Sequence, residues 1–315
     1  MTMILPDAAL PAGGTTDLIM PQFVEAHFRR QTEPVDAVPT PLPTWNGNCR
    51  DEGGGEGLAR GWYVVVGGGT GHGKSLLALN MAARAMQEGL SPGFLSIEMS
   101  TGQLATRLYS ILTGVPVRTL ERGRDFQEAE ARRASRLVEE LRDRTGACFY
   151  VNRQALCELT DVLATARLFV EEHGVRLLFL DYLQLVGTGD DDQMYREVTT
   201  ISRSVRVLAQ QLGVTVVALS QYNRSTSSNR LASPTPQGLI GSSAIENDAD
   251  QVVLLDHSRY ARDALLPHLG RTWALLAKNR HGSSGQVPIE WDYHCLRVRE
   301  ALPDEEASWP DRRGP

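Results

Sequence analysis

The sequence predicts an α/β fold with a mostly parallel central sheet and an antiparallel edge at its C-terminal end. Three observations predict it. From Gly61 onward, short apolar runs alternate with longer stretches of helical period. The early runs are continuously apolar, as expected of strands covered on both faces. The last two runs, GQVPIEW and CLRVRE, lie too close together for a crossover helix, so they pair antiparallel.

Taken in order, residues 1–60 read as an arm and linker. Pro, Gly and Thr recur in VPTPLPTWNG and DEGGGEG, a loop composition. Within the arm, PQFVEAHFRRQ (21–31) opens on Pro21 and sets Phe23, Val24, His27 and Phe28 at helical spacing. A helix this short is marginal alone in water. It needs a surface to dock on, either its own domain or a neighbouring subunit. Residues 61–300 form one α/β domain, and the polar tail over 301–315 is expected to be disordered.

The first strand, WYVVV, runs into GGGTGHGKS and then into SLLALNMAARAM, whose apolar residues recur at helical spacing. Glycine destabilises ordered segments, so this cluster needs a reason. Its pattern is G-x-x-x-x-G-K-S, with Gly68, Gly73, Lys74 and Ser75 in the defining places. Between a strand and a helix, that pattern makes a phosphate-binding loop. Backbone N–H groups converge on an anion at the helix N-terminus, with the dipole assisting. The cradle runs from Gly68 through Gly71, His72, Gly73, Lys74 and Ser75 to Leu76. Lys74 would reach the β- and γ-phosphates of ATP, and the Ser75 hydroxyl would ligate Mg²⁺.

In open α/β sheets ligands sit beyond the carboxyl ends of the strands. GFLSIEM ends near Glu98, suited to orient and deprotonate an attacking water. VRLLFLD ends at Asp181, suited to hold Mg²⁺ directly or through water. VTVVALSQ ends at Ser220 and Gln221, where an amide can sense the γ-phosphate. Between the last two, Met194, Val198, Ile201, Val205, Leu208 and Leu212 form a helical stripe. CFYV, DQVVLLD and TWALLAK complete the set of strands.

Past TWALLAK comes KNRHG. Lys278 and Arg280, two apart at a strand end, point the same way. If the anion they reach is the γ-phosphate of a neighbour's nucleotide, Arg280 is an arginine finger acting in trans. The stretch from Ser220 to Ala244 holds Arg224 and Arg230 and no acid, and it is rich in Ser, Gly and Pro. Long loops inside a compact domain are usually functional or disordered. Directly after Gln221, a basic loop is placed to couple nucleotide state to a polyanion, with nucleic acid the natural candidate.

Composition sets limits. The net charge of −6 gives no bulk reason to attract nucleic acid or an anionic membrane, so phosphate contacts must come from a local patch. Four cysteines show neither C-x-x-C nor zinc spacing, which points to buried thiols in a reduced cytoplasmic interior. The N-terminus lacks the basic lead and apolar core of a secretion signal. No apolar run approaches the roughly 20 residues needed to span a bilayer, so no membrane partner is expected.

Taken together, FLSIEMSTGQLATRLYS, LFLDYLQLV, REVTTISRSVRVLAQQLGVTVVALSQYNR, SSAIENDADQVVLL and AKNRHGSSGQV resemble, in order, the motor domain of DnaB-type replicative helicases. The resemblance covers residues 38–298. It implies a RecA-like fold, ATP with Mg²⁺, and a hexameric ring of identical subunits around single-stranded DNA, moving 5′ to 3′. By the same motifs Lys74 and Ser75 bind phosphate and metal, Glu98 is the catalytic carboxylate and Asp181 the metal-side acid. Gln221 is the sensor, and Lys278 with Arg280 enters the adjacent subunit's site. Residues 237–244 correspond to the DNA-facing loop, and the helix near Pro21 to a linker helix that docks on a neighbour.

Two departures bear on function. Where the family's DNA loop usually carries arginine, this chain has Ile240, leaving Gly241, Ser242 and Ser243 as phosphate donors. Only residues 1–60 precede the motor domain, so the family's separate N-terminal domain is expected to be missing, which leaves a primase or loader partner open. The alternative reading is a RecA-fold ATPase that does not unwind, resembling RadA-like recombination or KaiC-like regulatory proteins.

Overall fold

The computed structural model describes residues 37–49, 56–96, 98–122, scattered positions of 128–140, 148–150, 158–181, 183, 191–223, 232–262 and 268–302. The helix expected over 21–31, the tail beyond 302, and Arg224 and Arg230 lie outside the described residues.

A short helix, α1 (Pro43–Asn48), precedes the first strand, β1 (Tyr63–Gly68). Then follow α2 (Lys74–Gln87), β2 (Pro92–Ser96), α3 (Thr101–Thr113), α4 (Val117–Arg122) and β3 (Cys148–Tyr150). The next pairs are α5 (Leu159–His173) with β4 (Leu177–Asp181), and α6 (Asp191–Leu212) with β5 (Thr215–Gln221). A helix α7 (Ser242–Asp248) leads to four strands: β6 (Gln251–Arg262), β7 (Leu269–Asn279), β8 (Gly285–Asp292) and β9 (Arg297–Glu300).

Among the described residues these strands form one sheet in the order β3-β2-β4-β5-β1-β6-β7-β8-β9. Pairings from β3 through β6 are parallel, and those from β6 through β9 are antiparallel. The expected antiparallel edge is therefore present and wider than expected, since β7 belongs to it as well. Its cause is local: β6 to β7 and β7 to β8 are joined without a described crossover helix, and such strands run antiparallel.

Alternation along each central strand divides the core in two. Val64, Val66, Phe179, Val217, Leu219 and Val253 face the layer built from α1, α2 and α3. Tyr63, Val65, Leu178, Leu180, Val216 and Val252 face the layer built from α5, α6 and α7. Both sets are essentially inaccessible to solvent, which is why these strands read as continuous apolar runs. On α6, Val198, Ile201, Val205 and Leu208 are buried as the stripe requires, while Leu212 is only half-buried. Residues 37–49 are part of the core and not a loose linker: Val38, Leu42, Trp45 and Cys49 are all buried.

Candidate active site

The turn from β1 into α2 is the phosphate-binding loop. Gly73 begins α2 with φ of 90°, and no side chain caps the helix. A side chain is excluded there twice over, by the left-handed backbone and because a Cβ would lie 2.8 Å from the Trp291 ring. The first turn carries no acid, so the uncapped N–H groups and the dipole favour an anion. Lys74 Nζ donates to the carbonyls of Gly68 and Gly69, both at 2.9 Å. Burial holds the Lys74 ammonium below its ordinary pKa, against the attraction of Asp181 and Glu98. Leu76 is buried in the core, so only its backbone faces the cradle.

Asp181, the last residue of β4, is 1% exposed, and neither carboxylate oxygen makes a well-formed hydrogen bond. Burial raises its pKa to about 6, and Glu98 pushes the same way; the Ser75 hydroxyl, Lys74 and Arg107 oppose it. A buried carboxylate short of partners is costly. Beside a serine hydroxyl, its oxygen donors suit a divalent cation of the magnesium type.

Glu98 lies two residues past β2 and is exposed. Its turn is pinned at both ends. Met99 N–H donates to Ser96 Oγ at 3.0 Å, and Ser100 with Gln103 forms a capping box on α3. Its carboxylate acts on both Lys74 and Asp181. Gln221, at the end of β5, donates from Nε2 to Thr70 Oγ1 of the phosphate loop at 2.7 Å. Its carbonyl accepts from Ile240 N–H at 3.3 Å. One residue therefore touches both the phosphate loop and the approach to α7.

Ile240 is half-buried against the core under α6. Gly241 is buried, with φ of 73°, and a Cβ there would lie 2.3 Å from Val198 Cγ1. It turns the chain into α7 where no other residue fits. Ser243, at the start of α7, is exposed.

Lys278 and Arg280 come together, but far from their own phosphate loop. Asn279 pairs with Gln251, and Gln251 pairs with Val64, near the start of β1. The phosphate loop leaves β1 at its other end, after Gly68. Four residues of strand separate the two ends, roughly 13 Å. In the single chain both cations rest on the C-terminal end of α7. Lys278 Nζ donates to the carbonyls of Glu246 and Ala249, the latter at 2.7 Å, and Arg280 donates to the carbonyl of Asn247. Asp250 lies 3.5 Å from Arg280, 3.6 Å from Arg206 and 3.7 Å from His281. Cations at a helix C-terminus complement its dipole.

Several contributors escape sequence reasoning. His257, on the outer half of β6, stacks on His72 of the phosphate loop at 4.0 Å, and its Nε2 lies 3.1 Å from the His72 carbonyl. Trp291 floors the loop under Gly73. Arg107, on α3, acts on Asp181. Each comes from a different element, so no local pattern announces it.

Residues 53–300 match the family model described as the DnaB-like helicase C-terminal domain. A "Probable plasmid replicative DNA helicase" of Chlamydia trachomatis is 32% identical over 236 residues, covering 75% of this chain and 50% of that protein. The "Replicative DNA helicase DnaB" of Leifsonia xyli subsp. xyli is 32% identical over 254 residues, covering 78% and 53%. The chain thus spans about half the length of the curated relatives it matches. Among solved structures, an ATPase domain superposes with a TM-score of 0.74 at 21% identity, covering 92% of this chain and 99% of that one. A DnaB-like replicative helicase, from work on its interactions with primase, gives 0.72 at 20% identity, covering 93% and 68%. At these identities the superpositions establish the fold alone. With the phosphate loop, the acid at the end of β4 and the family match over 53–300, the chain belongs to the DnaB-like helicase C-terminal domain family.

Proposed function

We propose that the chain is the motor of an ATP-driven DNA helicase that translocates on single-stranded DNA as a ring of identical subunits, six in the reading that the family suggests. The observation that carries it is the separation of Lys278 and Arg280 from their own phosphate loop by the length of β1. Groups that cannot serve their own nucleotide are suited to a neighbour's, which makes hydrolysis a property of the interface.

In this reading the loop from Gly68 to Leu76 binds the phosphates, and Lys74 leaves the Gly68 and Gly69 carbonyls to neutralise them. Ser75 and Asp181 would hold Mg²⁺, which polarises the phosphate oxygens when bound. Glu98 orients the attacking water and takes its proton. Arg280 and Lys278 of the adjacent subunit stabilise the charge on the transferred phosphoryl group. Gln221 passes the state of the loop to Ile240 and α7. Ser242, Ser243 and the Gly241 backbone, with Arg224 and Arg230, then grip the DNA backbone. Ile240 replaces a phosphate contact with an apolar one, so the affinity rests more heavily on the two arginines.

Arg280→Ala should leave nucleotide affinity nearly unchanged and lower turnover by about 10³-fold or more. Mixed with Glu98→Gln subunits, it should regain activity where an intact site meets an intact finger. Failure to regain any, with co-assembly demonstrated, would mean that Arg280 does not act across an interface.

A further inference from the structure

Between Lys278 and Arg280, Asn279 uses its whole amide to tie down the turn. Its Nδ2 donates to the Asn48 carbonyl at 2.8 Å and to the Ser283 carbonyl at 3.0 Å. Its Oδ1 accepts from Gln251 Nε2 at 3.1 Å and from His281 N–H at 3.2 Å. Those partners lie on α1, on the turn itself and on β6. Gln251 is fully buried, and it also accepts from Trp45 Nε1 at 3.1 Å and donates to Cys49 Sγ at 2.9 Å. Ser283 Oγ donates to Asn48 Oδ1 at 2.8 Å. The backbones meet directly as well: a Cβ on Gly282 would lie 1.9 Å from the Asn48 carbonyl oxygen. His281 stacks on Trp62 at 4.2 Å, closing the far side of the turn.

We infer that Asn279 is a positioning residue for the Arg280 finger, and that the carbonyl end of α1 is the fixed point against which it holds the turn. The inference rests on Arg280 acting on a neighbour's nucleotide. The physical reason is leverage. Arg280 has a long flexible side chain, so its aim at a site outside its own subunit depends on the turn that carries it. A misplacement of about 1 Å in a catalytic group can cost on the order of 10²-fold in rate. Four hydrogen bonds from one amide to three places leave the turn little room to rock. Because residues 37–49 continue the N-terminal arm, the same contact ties the arm to the chemistry of the adjacent subunit.

The test uses the full chain and reads kcat and KM for ATP in the presence of single-stranded DNA. Asn279→Ala should lower kcat by about 10- to 100-fold with KM nearly unchanged. Mixing with Glu98→Gln should restore activity, because the defect lies in the finger and not in the site. Mixing with Arg280→Ala should restore none, because both variants lack the same half of the interface. Gly282→Ala retains Asn279 but sets a Cβ 1.9 Å from the Asn48 carbonyl oxygen and 3.0 Å from Asn279 Nδ2. That breaks the same tie from the other side, and it should lower kcat in the same way. It also carries the test if Asn279→Ala does not assemble. A wild-type kcat in both variants, or a loss that Glu98→Gln does not rescue while it does rescue Arg280→Ala, overturns the inference. If Glu98→Gln rescues neither Asn279→Ala nor Arg280→Ala, the interfacial reading of Arg280 fails first, and this inference with it.

Discussion

Asp181 is a carboxylate inaccessible to solvent, with neither oxygen well hydrogen-bonded, a condition that a bound cation would relieve. Lys74 waits beside it on two loop carbonyls. Lys74→Ala should therefore abolish ATP hydrolysis and greatly weaken nucleotide binding, since the charge that answers the phosphates is gone. Glu98→Gln should retain nucleotide while losing turnover, because the volume stays and the base does not. Equal losses of nucleotide affinity in both, measured by titrating a fluorescent ATP analogue, would remove Glu98 from its assigned role. His257 supplies a pH dependence. Its pKa is lowered to about 4, by burial first and by the adjacent His72, while the His72 carbonyl and Asp256 pull the other way. The folded pKa is below the ordinary value, so the unfolded chain binds more protons across this window. Stability from this residue is full above about pH 6.5 and is lost as pH falls toward 4, by at most about 3 kcal/mol. His257→Phe should keep the stack and flatten the fall in Tm between pH 7 and pH 5; an unchanged slope would show that His257 does not set it. The acids at strand ends were legible in the sequence because a continuous apolar run that stops at a carboxylate is a local pattern. His257, Trp291 and Arg107 were not, because their meaning lies in what another element brings to them.

At the scale of elements, the parallel strands were readable because burial on both faces leaves them uniformly apolar. β6 was readable only in part. DQVVLLD announces its buried half, but β6 continues through His257 to Arg262, where polar residues hide the strand period. That hidden half is what places His257 against the phosphate loop. The placement of α7 was not legible either. It spans from the loop beside Gln221 down to the carbonyls that Lys278 and Arg280 hold. Its entry depends on Gly241. Gly241→Ala meets both a left-handed backbone and Val198, and it should cost about 1–3 kcal/mol and weaken stimulation of the ATPase by DNA. Adding Val198→Ala removes the 2.3 Å contact with Cγ1 but leaves the residue's Cβ at 2.8 Å and the backbone strain, so it should recover only part of the stability. Thermal melts of the two proteins measure this; no recovery would mean that the clash is not the cause. The 37–49 segment shows a different limit of sequence reading. Its Pro and Thr content suggests linker, whereas Trp45, Leu42 and Val38 are core, because three apolar residues among prolines form no period.

In the whole molecule, two arrangements bear on the proposed function. The phosphate loop lies at one end of the sheet and the paired cations at the other, so subunits stacked around a ring would complete each other's sites. Ile240 N–H donates to the Gln221 carbonyl, so in the proposed function each site would report to the strand in the channel. The contrast with a RecA-fold ATPase that does not unwind is therefore a matter of work done on DNA. The most direct measurement is strand displacement on a forked duplex by the full chain with ATP and Mg²⁺, beside Lys74→Ala as a blank and with ATPase recorded in the same reactions. The proposed function predicts that single-stranded DNA stimulates hydrolysis and that the fork opens, with 5′-to-3′ polarity, only in the unmutated protein. Hydrolysis that DNA leaves unchanged, or that DNA stimulates while forks stay closed, would contradict it.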